Sequence, residues 1–258
     1  MFFHLWAISA LCAVTLSAPF APGSASRPEE MKVLSDYFHM LATKVQEGRN
    51  MAMAPICDIS KATLPVASPT PLAGPAEGMT LKHVAIGRGI QNYTCSTTNA
   101  TAAPKPIGAV ATLYNASCVA ATYPDLLNIL PKLALEFSIT PENQELGPSN
   151  LVVSGHHYFT NNTSPFFDLN TSGLELGVAP CQKNSSVPAP AGAVVGQNNQ
   201  GLGAVAWLKL TTRSGATGGL QEVYRVNTAG GSPPKICEGM PATFEIQYSA
   251  EYWFFGSS

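Results

Sequence analysis

The chain has 258 residues, of which 45% are apolar and only 30 are Asp, Glu, Lys or Arg, with a formal net charge of -2. That apolar content excludes a disordered chain, and 14 Lys and Arg give no electrostatic footprint for nucleic acid. The 22 Gly and 21 Pro interrupt the chain too often for a helical bundle and favour short strands joined by tight turns.

Residues 1–17 read as a secretory leader. They contain no charged side chain, run apolar from Phe2 through Leu16, and carry the small residues Thr15 and Ser17 ahead of a cleavage point after Ser17, with a second acceptable site near Ala25. The run is shorter than the ~20 residues of a membrane span, and Pro19 and Pro22 follow it directly. The expectation is a secreted chain with no membrane association once the leader is removed.

Residues 18–53 form a helical segment. Pro28, Glu29 and Glu30 suit a first turn, and Val33, Leu34, Tyr37, Phe38, Leu41 and Val45 recur at helical spacing over 27–47 before Gly48. Residues 54–78 hold five prolines and read as an extended arm. A single β-rich domain spans 79–258. Strands are predicted at Leu81–Ile86 and Ile90–Cys95 around a turn at Gly87-Arg88-Gly89, then at Gly108–Tyr114, Leu133–Ile139, Leu151–Phe159, Pro165–Leu169, Ala204–Thr211, Leu220–Asn227 and Thr243–Phe255. Pro124–Leu130 is the one short internal helix, and 182–203 reads as a mobile loop. The fold class is therefore mainly β, an antiparallel sandwich or barrel with an N-terminal amphipathic helix.

Of six cysteines, Cys12 leaves with the leader. In an oxidising compartment the other five make two bridges and one leftover thiol. Cys57, Cys95, Cys118 and Cys237 are the disulfide candidates with connectivity open, and Cys181, in a Pro/Ser/Asn-rich stretch, is the odd one. Seven of 14 Asn lie in N-glycosylation sequons: Asn92, Asn99, Asn115, Asn161, Asn162, Asn170 and Asn184. Asn161 and Asn162 overlap, so one glycan is expected there.

No catalytic motif is complete. Gly87-Arg88-Gly89 begins like a dinucleotide fingerprint, but Asn92 replaces the third glycine and no helix pattern follows to hold a pyrophosphate. His156 and His157 are adjacent on a strand and point to opposite faces, so they do not share a metal ion; neither cofactor nor metal is expected. One of them can face a pocket with Asp168. Arg225 is read as pairing with Glu245 or Glu251, or else as binding an anionic ligand. Tyr252 belongs to an aromatic tail that supplies either core or a sugar platform. A ligand groove would be lined by His156, His157, Asp168, Trp207, Arg225, Tyr252 and Glu251.

Six ordered blocks look familiar together: Leu81 through Cys95, Gly108 through Tyr114, Gly155-His156-His157-Tyr158-Phe159, Val205 through Leu210, Val223 through Gly231, and Ala250 through Phe255. Over about residues 55–256 the chain resembles a family of secreted fungal proteins with bacterial relatives, classed as a domain of unknown function and often labelled malate dehydrogenase. The resemblance implies an extracellular or wall-associated β domain and brings no catalytic residues. The incomplete fingerprint, the leader and the sequons argue against a dehydrogenase. The expected role is binding of cell-wall polysaccharide or of a small extracellular ligand, without nucleic acid. The alternative is an extracellular carbohydrate-active or other hydrolase using Asp168 and Glu251 with a histidine.

Overall fold

The computed structural model describes residues 28–49, 57–136, 145–147, 149, 151–196 and 202–257. The leader and its cleavage site lie outside the described residues. Helix α1 (Pro28–Arg49) precedes the arm, which holds a short 3-10 turn at Ile59–Lys61. Then follow β1 (Met79–Thr94), β2 (Lys105–Asn115), α2 (Ser117–Thr122), α3 (Pro124–Glu136), β3 (Glu145–Leu146), β4 (Leu151–Asn161), β5 (Ser164–Thr171), β6 (Leu174–Val187), β7 (Trp207–Thr212), β8 (Leu220–Gly230) and β9 (Thr243–Ser257).

Eight of these strands close into a barrel. Each pairs antiparallel with the next in sequence, β2 pairs with β4 across the helical insertion, and β9 returns to β1. The two-residue β3 pairs with β4 alone. Up-and-down closure leaves no exposed sheet edge among these eight strands.

Alternation along each strand separates two cores. On β9, Tyr248, Ala250, Tyr252 and Phe254 point inward with Leu113, Phe167, Leu169, Cys181 and Val223. Trp253 and Phe255 point outward with Ile86, Tyr224 and Val226, beneath α1, α3 and the arm. Covered on both faces, β9 reads as a continuous buried run.

Three expectations need correction. Leu81–Ile86 and Ile90–Cys95 are not two strands around a turn, because β1 runs unbroken through Gly87-Arg88-Gly89. The two glycines relieve a close approach instead of a turn. A Cβ on Gly87 would lie 2.4 Å from the Tyr252 ring, and one on Gly89 would lie 1.9 Å from the Val110 carbonyl oxygen. Of the strand expected at Leu133–Ile139, Leu133–Glu136 is helix instead, since α3 continues through Pro131 to Glu136, and 137–139 lie outside the described residues. Leu126, Leu127, Leu130, Leu133 and Ala134 repeat at helical spacing, and their burial against the barrel outweighs the hydrogen bond that Pro131 removes. The expected loop 182–203 begins as strand, because β6 reaches Val187 by pairing with β7. Four elements went unpredicted: the 3-10 turn at Ile59–Lys61, α2, β3 and the whole of β6.

Arg88 ties α3 to the barrel. Its guanidinium leaves the outer face of β1 and donates to the carbonyls of Ala134 at 2.7 Å and Leu135 at 3.3 Å, in the last turn of α3, and to the Gln247 side chain. Helix C-terminal carbonyls lack intrahelical partners and attract cations. Burial lowers the Arg88 pKa to about 10, so it stays charged at neutral pH. At the end where β1 begins, His83 is clamped between Ser117 (3.0 Å to Nδ1) and Ser154 (2.9 Å to Nε2).

Replacing Gly89 by Ala is expected to lower stability by about 1–3 kcal/mol or more, because backbone receives the new carbon. Gly74→Ala, with open space around it, should be nearly neutral. Urea unfolding midpoints test the pair, and equal midpoints for both variants would refute the close-packing account.

Candidate functional site

One end of the barrel interior is left open by the described side chains. There, where β1 finishes and β2 starts, lies a cavity of about 310 Å³. Phe159, Phe167, Leu208, Leu210, Pro106 and Pro165 make its walls apolar, and Gln91, His157, Arg225 and Tyr252 bring polar atoms to it. Asn162, Thr163 and the exposed Lys183 form the rim. An eight-strand barrel has room inside for packed side chains or for one small ligand, and here the two share its length.

Three of these four polar groups are fixed from behind. The His157 ring stacks on Phe167, with centroids 4.3 Å apart and planes 10° apart. Its Nδ1 lies 2.9 Å from the Phe166 carbonyl, which can only accept, so Nδ1 carries the proton and Nε2 a lone pair. Burial, helped by the Arg225 charge, lowers the His157 pKa to about 4 and keeps the ring neutral. Arg225 donates through Nε (3.3 Å) and Nη2 (2.9 Å) to the Ala206 carbonyl. The Tyr252 and Tyr248 hydroxyls share a 2.7 Å hydrogen bond behind it. The Gln91 amide nitrogen is buried with no hydrogen-bond partner.

Of the seven predicted pocket residues, the structure brings together His157, Arg225 and Tyr252. His156 points out of the barrel into a separate groove with Ser154 and Asn170. Asp168 stands opposite it in register on the outer face and accepts from the Asn170 amide at 3.0 Å. Trp207 belongs to the outer core and borders a cavity of about 260 Å³ beside α3, its indole nitrogen buried and unpartnered. Glu251 is also outward. It accepts from Asn227 at 2.7 Å and from the Trp253 indole at 2.9 Å, and Asn227 in turn donates to Asn128 of α3.

Alternation separates these sets, since inward and outward residues on one strand differ by an odd number. Arg225 therefore does not pair with Glu251, or with Glu245 on that same outward parity. Asp168 and Glu251 sit four strands apart on opposite sides of the barrel and line no common cavity. That pair therefore does not face across one cleft as the carboxylates of a glycosidase do. Among the described residues no group of three His, Cys, Asp or Glu is placed to hold a metal ion.

Sequence reasoning missed Gln91, Phe159 and Phe167. The available signal was period two: Gly87, Gly89 and Gln91 share one face, as do His157 and Phe159. The bridges pair Cys57 with Cys118 and Cys95 with Cys237. Cys181 is free inside the barrel, where burial pushes its thiol up to about 12.

Fold and cavity together define a closed up-and-down β-barrel with a single-ended internal pocket. Residues 75–256 match the family described as protein of unknown function (DUF3455), and the chain belongs to that family. Comparisons with curated proteins and with solved structures return no match.

Glu251 generates a pH prediction. Desolvation raises its pKa from 4.5 to about 7, against the two donors that favour the charged form. A raised folded pKa means that its contribution is fully present below the unfolded value and is lost as pH rises through about 7. Glu251→Gln mimics the protonated side chain. Its stability relative to wild type should therefore rise on going from pH 5 to pH 8, by on the order of 3 kcal/mol. Urea unfolding of both proteins across that range gives the difference directly, and a difference flat in pH would contradict the assignment.

Proposed function

We propose that this protein is a secreted, N-glycosylated binding barrel that takes one small ligand in its open end. The observation that carries this reading is the cavity at the mouth, the unfilled part of an otherwise packed interior, with buried polar atoms presented to it. An enclosed pocket favours a small extracellular molecule over a polysaccharide chain, which needs an open groove.

Secretion rests on the leader sequence, and the two disulfides agree with it. No described helix is long and apolar enough to cross a membrane. Among the sequons, Asn99 in a loop and Asn161 at the end of β4 are exposed, each accepting from the Thr two residues on, and Asn184 is exposed on β6. Those geometries support glycan attachment there, whereas the Asn92 side-chain oxygen is buried.

Titration with 1-aminoanthracene, a neutral fluorophore that brightens in apolar surroundings, tests the pocket. Saturable binding is expected for wild type and its loss for Leu208→Trp, which fills the mouth from a half-buried position. Emission that never saturates, or that is unchanged in the variant, would remove the ligand-binding reading.

A further inference from the structure

We infer that the mouth binds a small aromatic or similarly flat carboxylic acid bearing a hydroxyl at its far end, with the carboxylate on Arg225 and the hydroxyl on His157. The inference rests on the ligand-binding reading above and names the class of ligand.

The first observation is a buried cation without a counter-charge. Arg225 is only 9% exposed. Two of its nitrogens serve the Ala206 carbonyl, and among the described residues it has no carboxylate partner. No Asp or Glu lines the cavity, and Lys183 stands at the rim. Burial raises the pKa values of Tyr93, Tyr248 and Tyr252, and the Arg225 charge opposes that rise at each of them. A buried guanidinium is costly unless paired, and its planar fork matches a carboxylate.

The second observation is an unpartnered donor. Gln91 is 7% exposed, lines the cavity, and has a buried amide nitrogen with no acceptor. An anionic ligand supplies one. The third is an acceptor of opposite demand. His157, 3% exposed, has Nδ1 engaged by the Phe166 carbonyl, so Nε2 is an acceptor that a ligand hydroxyl can meet.

Position orders these groups. Arg225 on β8 and His157 on β4 stand four strands apart in an eight-strand barrel, on opposite walls. Anionic head and hydroxyl therefore belong at opposite ends of the ligand, whose body meets Phe159 and Phe167 on the His157 side.

Isothermal titration with 4-hydroxybenzoate, benzoate, 4-hydroxybenzamide and benzylamine at pH 7 tests this. The acid should bind about tenfold or more tightly than the amide of the same shape. The 4-hydroxyl should improve on benzoate several-fold, and benzylamine should not bind. Arg225→Gln should abolish the preference for acid over amide, and His157→Phe should abolish the gain from the hydroxyl while sparing benzoate. The four wild-type titrations decide the matter even if a variant fails to fold. An amide that equals the acid, or a bound amine, would overturn the inference. Binding of 1-aminoanthracene without any carboxylate would overturn it while leaving the ligand-binding reading intact; binding of neither would end both.

Discussion

The inside of an eight-strand barrel cannot hold a large side chain from every strand at every level. In this protein the strands divide the space unequally. β1 and β2 contribute Ala85, Gly87, Gly89, Ala109 and Ala111, while β5 and β9 contribute Phe167, Tyr248, Tyr252 and Phe254. Small residues on β1 and β2 leave the space that the rings of β9, next to β1, and of β5 occupy. The rings stack into a solid floor, with Phe167 against His157 and Tyr252, and what remains open is the level above them. The pocket is a product of that asymmetry. Its depth is set by Tyr252, whose ring Gly87 admits.

The outer surface obeys a different rule. Several buried polar groups there fasten something to the barrel. Arg88 holds the last turn of α3. Glu251 reaches the middle of α3 through Asn227, a non-glycine residue at positive φ in the β8 bulge, and Asn128. Lys209, paired with Glu222 at 3.0 Å, donates to the Gly74 carbonyl, and Tyr224 donates to that of Ala73. The proline-rich arm is thereby strapped across β7 and β8. A chain with few charges thus places several of them where they orient helices and arm over an apolar contact that alone would permit sliding.

Much of the architecture was legible from local chemistry. Alternation in β4, β5, β8 and β9 marks them as strands, Pro and Gly mark the arm and turns, and helical spacing marks α1. The failures share a cause. A glycine pair signals a turn or a close approach, and local sequence does not distinguish them, because the partner that crowds Gly87 is Tyr252, 165 positions away. β6 carries Pro180 and a Ser/Asn-rich end, and only pairing with β5 and β7 makes it extended. At the site, His157, Arg225 and Tyr252 were named for their chemistry, but so were Asp168, Trp207 and Glu251. Face separates the two sets, and face depends on register and bulges that long-range pairing sets.

The pairing of Met79 with Ser257 joins the first residue of β1 to the last of β9. Both lie at the floor, while Gln91 and Lys183 stand at the opposite end. The polypeptide therefore enters and leaves the barrel side by side and away from the opening. Anchored through either strand end to a wall, a surface or another domain, the barrel would hang like a cup from its base, with its opening toward the surrounding fluid.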